Sequence, residues 1–185
     1  MIFSPAPLDG VYVIEMEKYQ DERGYFARSW CTREFAEHRL DAHLVQCSVS
    51  FNHAAGTLRG LHFQVPPHGE TKLVRCIRGS LFDVALDLHP HSPTFLKWYG
   101  VELTEENGRM LYIPKGFAHG FQTLADATEV LYQISDYYVP EAARGVRWND
   151  PLFGINWPRT VTTISTRDKE YADSSPEHFN MMVVS

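Results

Sequence analysis

Cysteine is scarce in this chain. The three present, Cys31, Cys47 and Cys76, are an odd number with no Cys-x-x-Cys spacing, which argues against a disulfide framework or a thiolate zinc site and favours free thiols in a reducing compartment. As small apolar side chains, all three are expected inside. Basic charge is also in short supply: 17 Lys and Arg stand against 23 Asp and Glu, for a formal net charge of -6. That balance gives no broad field for holding a nucleic-acid backbone, so any bound phosphate must rest on a few placed arginines and lysines. No segment approaches the ~18 apolar residues of a membrane span, and the opening MIFSPAPLDGVYVIE lacks the basic flank and continuous apolar core of a secretion signal. Internal repeats and low-complexity tracts are missing too. The expectation is a cytoplasmic protein with neither a membrane nor a nucleic-acid partner.

What is present is ordinary globular material: 185 residues, 44% hydrophobic, 13% aromatic and 22% charged, enough for one core and one domain over 1–185. Short segments rich in Val, Leu, Phe and Tyr dominate, separated by turn residues. Val11–Met16, Ala42–Phe51, Thr57–Gln64, Thr71–Ile77, Ser80–Leu88, Thr94–Leu103, Met110–Ile113, Gly120–Thr123 and Thr128–Ser135 are predicted as strands. Arg78-Gly79-Ser80 reads as a hairpin, Thr104 to Gly108 as a turn, and Val65 to Gly69 and Trp157-Pro158 as breaks within the domain. Two short helices, near Thr32–His38 and Thr166–Tyr171, each open on a Thr suited to capping. The pattern predicts a mainly β fold, an antiparallel sandwich or barrel with few helices. In the strand from Ser80, Phe82, Val84, Leu86 and Leu88 share one face, and Leu81, Asp83, Ala85 and Asp87 the other. Those acids point either to a polar cavity or to solvent, and periodicity alone favours solvent.

Nine histidines carry little information singly. His62 and His119 stand apart because each lies among Gly and large apolar residues, in GLHF and GFAHGF; a satisfied core histidine and a functional one each account for either taken alone. Arg59, Lys72, His119 and Tyr132 all interrupt apolar stretches, in TLRGL, ETKLV, AHGF and EVLYQI. Barrel strands bring such residues together across long separations, so one lined cavity explains them better than separate surface accidents. Its cations suit an anionic ligand and its Tyr and His supply a proton donor and acceptor, which reads as acid-base chemistry on a phosphorylated compound. A metal site of His62, His68, Glu70 and His119 is the rival reading, weakened by Gln64 where an HxH pair would need histidine and by the positive Lys72 nearby. Arg59 and His62 differ in parity, so an unbroken strand aims them at opposite faces, and only a bend or bulge at Gly60 lets both serve one site.

Longer motifs carry a family resemblance. DERGYF (21–26), GTLRGLHFQ (56–64), KLVRCIRG (72–79), FDVALDL (82–88), IPKGFAHGF (113–121), EVLYQISDYY (129–138) and RGVRWNDPLFGINWP (144–158), in order over nearly the whole chain, closely resemble dTDP-4-dehydrorhamnose 3,5-epimerases. The resemblance implies a cupin-type jelly-roll barrel, a homodimer with strands shared between subunits, and no metal or other cofactor. It also implies a nucleotide-linked 4-keto-6-deoxyhexose as substrate, inverted at C3 and C5 for rhamnose-type deoxysugar biosynthesis. The ketone acidifies both positions, so a base can remove a proton and an acid can return one to the opposite face.

Carried over by position, His62 matches the base and Tyr132 the acid. Lys72 matches the cation beside the enolate oxygen, and Asp168, in ISTRD, the carboxylate paired with the base; Asp83 is assigned to the same network. His119 falls near the sugar and its ketone. Arg59 and Arg23 match diphosphate contacts, Tyr138 the aromatic stacked on the nucleotide base with Phe26 nearby, and Arg167 a further substrate contact. Without the resemblance, surface arginine and structural aromatic are the readings for Arg23, Phe26 and Tyr138. Two departures bear on the nucleotide: Arg28 stands where many such enzymes have glutamate, and Ser48 stands in the Asn place of the Q-x-N-x-S segment that begins at Gln46. Inversion at a single centre, and a non-catalytic sugar-nucleotide-binding cupin, remain as alternatives.

Overall fold

The computed structural model describes residues 1–182. In chain order the strands are β1 (Ile2–Pro5), β2 (Tyr12–Glu15), β3 (Lys18–Asp21), β4 (Gly24–Ala27), β5 (Gln46–Asn52), β6 (Thr57–Gln64), β7 (Lys72–Arg78), β8 (Ser80–Asp87), β9 (Trp98–Thr104), β10 (Met110–Ile113), β11 (Phe117–Thr123), β12 (Thr128–Ile134), β13 (Ala143–Gly145) and β14 (Thr163–Ile164). The helices are α1 (Thr32–Glu37) and α2 (Thr166–Glu170), with a 3-10 turn at Pro176–Met182. One six-stranded sheet runs β1-β2-β10-β7-β12-β5 and a second runs β13-β6-β11-β8-β9, with β14 also beside β6; β3 and β4 form a separate hairpin. Every pairing is antiparallel except β14 with β6. The architecture is the expected jelly roll.

The core lies between the sheets, where Val74, Cys76, Leu111 and Val130 of the first meet Leu81, Ala85 and Phe121 of the second. Period-two alternation produces this directly, since residues of one parity in β7, β8 and β12 all face inward. The outer face of the second sheet is also dry: Phe153, Phe179 and Val146 cover Leu61, Phe63, Val84 and Leu86. On the first sheet, Phe35 of α1 packs over Ile14, Leu73, Met110 and Tyr112. With both faces of β8 covered, no solvated face exists for Asp83 and Asp87, which are fully buried. The periodicity reading of a solvent-facing acid row is therefore overturned.

Other expectations are corrected by the neighbours each segment finds. Arg78-Gly79-Ser80 is not a hairpin, because β7 and β8 belong to different sheets; it is the corner at which the chain crosses between them. The strand predicted from Ala42 begins only at Gln46, and that from Thr94 only at Trp98, after a turn in which Leu96 takes φ +62°. Neither helix is capped by its Thr: Cys31 precedes α1 without a side-chain cap, whereas Ser165 caps α2 by accepting from Asp168 N. Of the cysteines only Cys76 is buried, and Cys47 is exposed. No described helix is long and apolar enough to cross a membrane.

Candidate active site

A cavity of about 630 Å³ opens between the sheets at one end of the sandwich. Sheet one contributes Gln46, Ser48 and Ser50 from β5, Lys72 from β7 and Tyr132 from β12; sheet two contributes Arg59 and His62 from β6 and His119 from β11. Asp168 and Arg167 reach it from α2, and Tyr138 from the segment after β12. Arg59, Arg167 and Tyr138 are exposed at the rim, whereas Lys72, His119 and Asp168 are buried.

The parity problem in β6 is solved by a bulge. His62 pairs with His119 but Arg59 pairs with Phe121, so Gly60 and Leu61 together oppose Gly120 alone and the face alternation is reset. Leu61 and Phe63 then point to the outer core, while Arg59 and His62 both line the cavity. Glycine is required at the reset: Gly60 has φ +117°, and a Cβ there would meet Gly120 Cα at 2.6 Å and His119 O at 2.8 Å.

His62 Nε2 donates to Asp168 Oδ1 at 2.7 Å, and Gly60 N donates to Asp168 Oδ2 at 3.1 Å. The ring is thereby oriented with Nδ1 free of protein partners among the described residues. Burial, the largest single influence, pushes the Asp168 carboxyl up, but the His62 hydrogen bond and charge, with the Gly60 and Ser165 donors, outweigh it and hold the carboxyl below its usual range. Across the cavity, Tyr132 Oη shares a 3.3 Å hydrogen bond with Ser50 Oγ. Burial and the charge of Asp83 raise its phenol against the opposing Ser50 hydrogen bond and Arg59 charge, so it is a proton-bearing group at neutral pH.

Lys72 Nζ pairs with Glu70 Oε1 at 2.8 Å and donates to His62 O at 3.3 Å. Gln64 Nε2 donates to the other Glu70 oxygen at 3.1 Å. Glu70, in sequence only a candidate metal ligand, is instead the counter-charge that a buried ammonium requires. Asp83 does not join the His62 network as expected. It accepts from His119 Nε2 at 2.7 Å, because both side chains point inward from neighbouring β8 and β11. Arg59 is held by Asn52 Oδ1 at 2.8 Å and the Phe51 carbonyl at 3.3 Å, a support that the sequence reading did not find. Among the described residues no group of three His, Cys, Asp or Glu is placed to hold a metal ion.

Three of the expected substrate contacts lie elsewhere. Arg23 and Phe26 sit on the β3–β4 hairpin, with the Arg23 side chain 84% exposed and ion-paired to Asp21, and Phe26 78% exposed. Arg28, just beyond the hairpin, pairs with Glu34 of α1 at 2.7 Å. None lines this chain's own cavity, because the hairpin belongs to neither main sheet.

The family model for dTDP-4-dehydrorhamnose 3,5-epimerase matches residues 5–175. Among similar proteins, the dTDP-4-dehydrorhamnose 3,5-epimerase of Sinorhizobium fredii is 44% identical over 89% of this chain and 84% of its own length. That of Methanothermobacter thermautotrophicus is 45% identical over 91% and 92%. A crystal structure of the Bacillus anthracis enzyme with TDP and PPi bound superposes with a TM-score of 0.90 at 37% identity, covering 94% of this chain and 99% of that one. On matches of this length, over the residues that build the cavity, the chain belongs to the dTDP-4-dehydrorhamnose 3,5-epimerase family.

Proposed function

We propose that the chain inverts C3 and C5 of a dTDP-4-keto-6-deoxyhexose, the step that forms the rhamnose-type sugar nucleotide. One observation carries the reading: an imidazole oriented by a carboxylate and a protonated phenol stand on opposite sheets of one cavity. Nδ1 of His62 removes the proton from C3 or C5, and the electrons move onto the C4 oxygen, giving an enolate. Lys72 lies next to the base and supplies positive charge for that oxygen, an effect that is strongest where water is excluded. Tyr132 returns a proton to the opposite face, the ketone re-forms, and exchange with solvent restores both groups. Arg59 and Arg167 at the rim suit the diphosphate, for which the forked guanidinium is well matched, and Tyr138 beside them offers a face for the base.

Inversion of both centres is favoured by relatives. Among the solved structures, the 3,5-epimerases of Elizabethkingia anophelis and Bacillus anthracis are 38% and 37% identical, against 29% for the 3'-monoepimerase of Streptomyces bikiniensis, a crystal structure with dTDP-quinovose. The same reading includes a homodimer, so that Arg23, Phe26 and Arg28 act from a second copy, and a reducing cytoplasm for the free thiols. In deuterated water, the purified chain should incorporate deuterium at C3 and C5 of dTDP-4-keto-6-deoxyglucose. His62→Ala should abolish incorporation at both, and Tyr132→Phe should retain exchange while losing most inversion; exchange surviving in His62→Ala would remove His62 as the base.

A further inference from the structure

Tyr171, the residue that closes α2, stands outside every role assigned so far. Its ring lies edge-on to the His62 imidazole, with centroids 6.5 Å apart and planes at 66°. Its hydroxyl accepts a 2.8 Å hydrogen bond from Arg167 Nε. The space it occupies exists because residue 145 is glycine: a Cβ there would come within 2.3 Å of Tyr171 Cε2 and Cζ and 2.5 Å of Oη. Gly145 is also the register partner of His62 across the β13–β6 pair. The phenol is therefore laid against the strand position opposite the base, and the same side chain ties down a rim guanidinium. Burial raises the Tyr171 hydroxyl above its ordinary value, the Arg167 hydrogen bond and charge opposing and the Asp168 charge adding to it. It is a neutral hydrogen-bonding group through the physiological range, and unlike Tyr132 it does not line the cavity.

We infer that Tyr171 is a positioning residue with two separable parts: its ring walls the His62 imidazole into the rotamer that faces Asp168, and its hydroxyl holds Arg167 at the rim. The inference rests on the reading of His62 as the base. The two parts fall on different kinetic constants. A base free to turn away from Asp168 spends less time in a reactive geometry, which lowers kcat. A guanidinium free to swing away from the rim weakens binding of the anionic end, which raises KM.

The test is a set of variants assayed on dTDP-4-keto-6-deoxyglucose, with the imidazole nitrogens of 15N-labelled protein observed by NMR. Tyr171→Phe keeps the ring and should leave kcat within about twofold while raising KM about fivefold, the scale of one lost hydrogen bond. Tyr171→Ala should lower kcat about tenfold or more and bring the His62 Nδ1 and Nε2 shifts together as the ring gains freedom. Gly145→Ala, which leaves no room for the phenol, should copy Tyr171→Ala. The double variant should be no worse than either single one, since both remove the same contact. A Tyr171→Ala protein with parental kcat and parental imidazole shifts overturns the proposal, as does an additive double variant. If the parent itself exchanges no sugar proton, the base assignment fails; the imidazole shifts then still decide whether Tyr171 holds the ring.

Discussion

Asp168 shows how one buried carboxylate can serve chemistry and stability together. It accepts from His62 Nε2 and from Gly60 N, so removing its charge disturbs both the orientation of the His62 ring and the β6 bulge. Its folded pKa lies below the ordinary carboxylate value. A group depressed on folding stabilises the native state above its unfolded pKa of about 3.9 and loses that contribution as pH falls through the lower folded value. The parental midpoint temperature should therefore decline below about pH 4, and Asp168→Asn should remove part of that decline while lowering stability at pH 7. Parallel melting curves for the two proteins from pH 3 to 7 would show no difference in slope if the carboxylate were uncoupled from folding. The position of Asp168 was not legible from spacing, because 106 residues separate it from His62; only the motif resemblance paired them. Arg59, Lys72, His119 and Tyr132 are legible as polar interruptions of apolar strands, which is what a lined cavity between sheets produces.

Among the elements, β6 carries most of the site, and it was also the most readable. Thr57–Gln64 and Met110–Ile113 were found to the residue, because buried strands bounded by turn residues leave a strong pattern. The β3–β4 hairpin was missed because KYQD and GYFA are largely exposed and lack an alternating apolar face. Strands β13 and β14 are only three and two residues long and exist through their pairing with β6, which no local pattern can announce. The parity conflict between Arg59 and His62 points to Gly60 from sequence alone, and the bulge there resolves it. Gly60→Ala should cost on the order of 3 kcal/mol, combining a positive φ with backbone overlap against Gly120, and it should misplace Arg59 relative to His62. Urea unfolding measures the first effect and KM the second; a variant with parental values in both would mean that the bulge can close without its glycine.

At the scale of the whole molecule, the chain leaves apolar surface that a second copy can cover. On the outer face of β5, Val49 is 58% and Phe51 42% exposed, and on the hairpin Tyr19 and Phe26 are 71% and 78% exposed. Strand β5 is also one of the two edges of its sheet, a position that soluble proteins normally protect or pair. The residues expected to bind nucleotide but absent from the cavity, Arg23, Phe26 and Arg28, lie on or just beyond that hairpin. The proposed homodimer, with each hairpin completing the other subunit's cavity, would account for both the uncovered surface and the displaced residues. Phe51→Asp should then shift the protein toward monomer in sedimentation velocity and raise KM together. Subunit mixing separates completion of the site from simple stabilisation. Arg23→Ala combined with Phe26→Ala in one chain, and His62→Ala in the other, should each be nearly inactive alone. When the two are unfolded and refolded together, half of the dimers are mixed and each mixed dimer has one site with both an intact hairpin and an intact base, so about a quarter of sites should regain activity. Recovery confined to the sum of the separate proteins would mean that each chain works with its own hairpin, and the dimer would then have no part in binding the nucleotide.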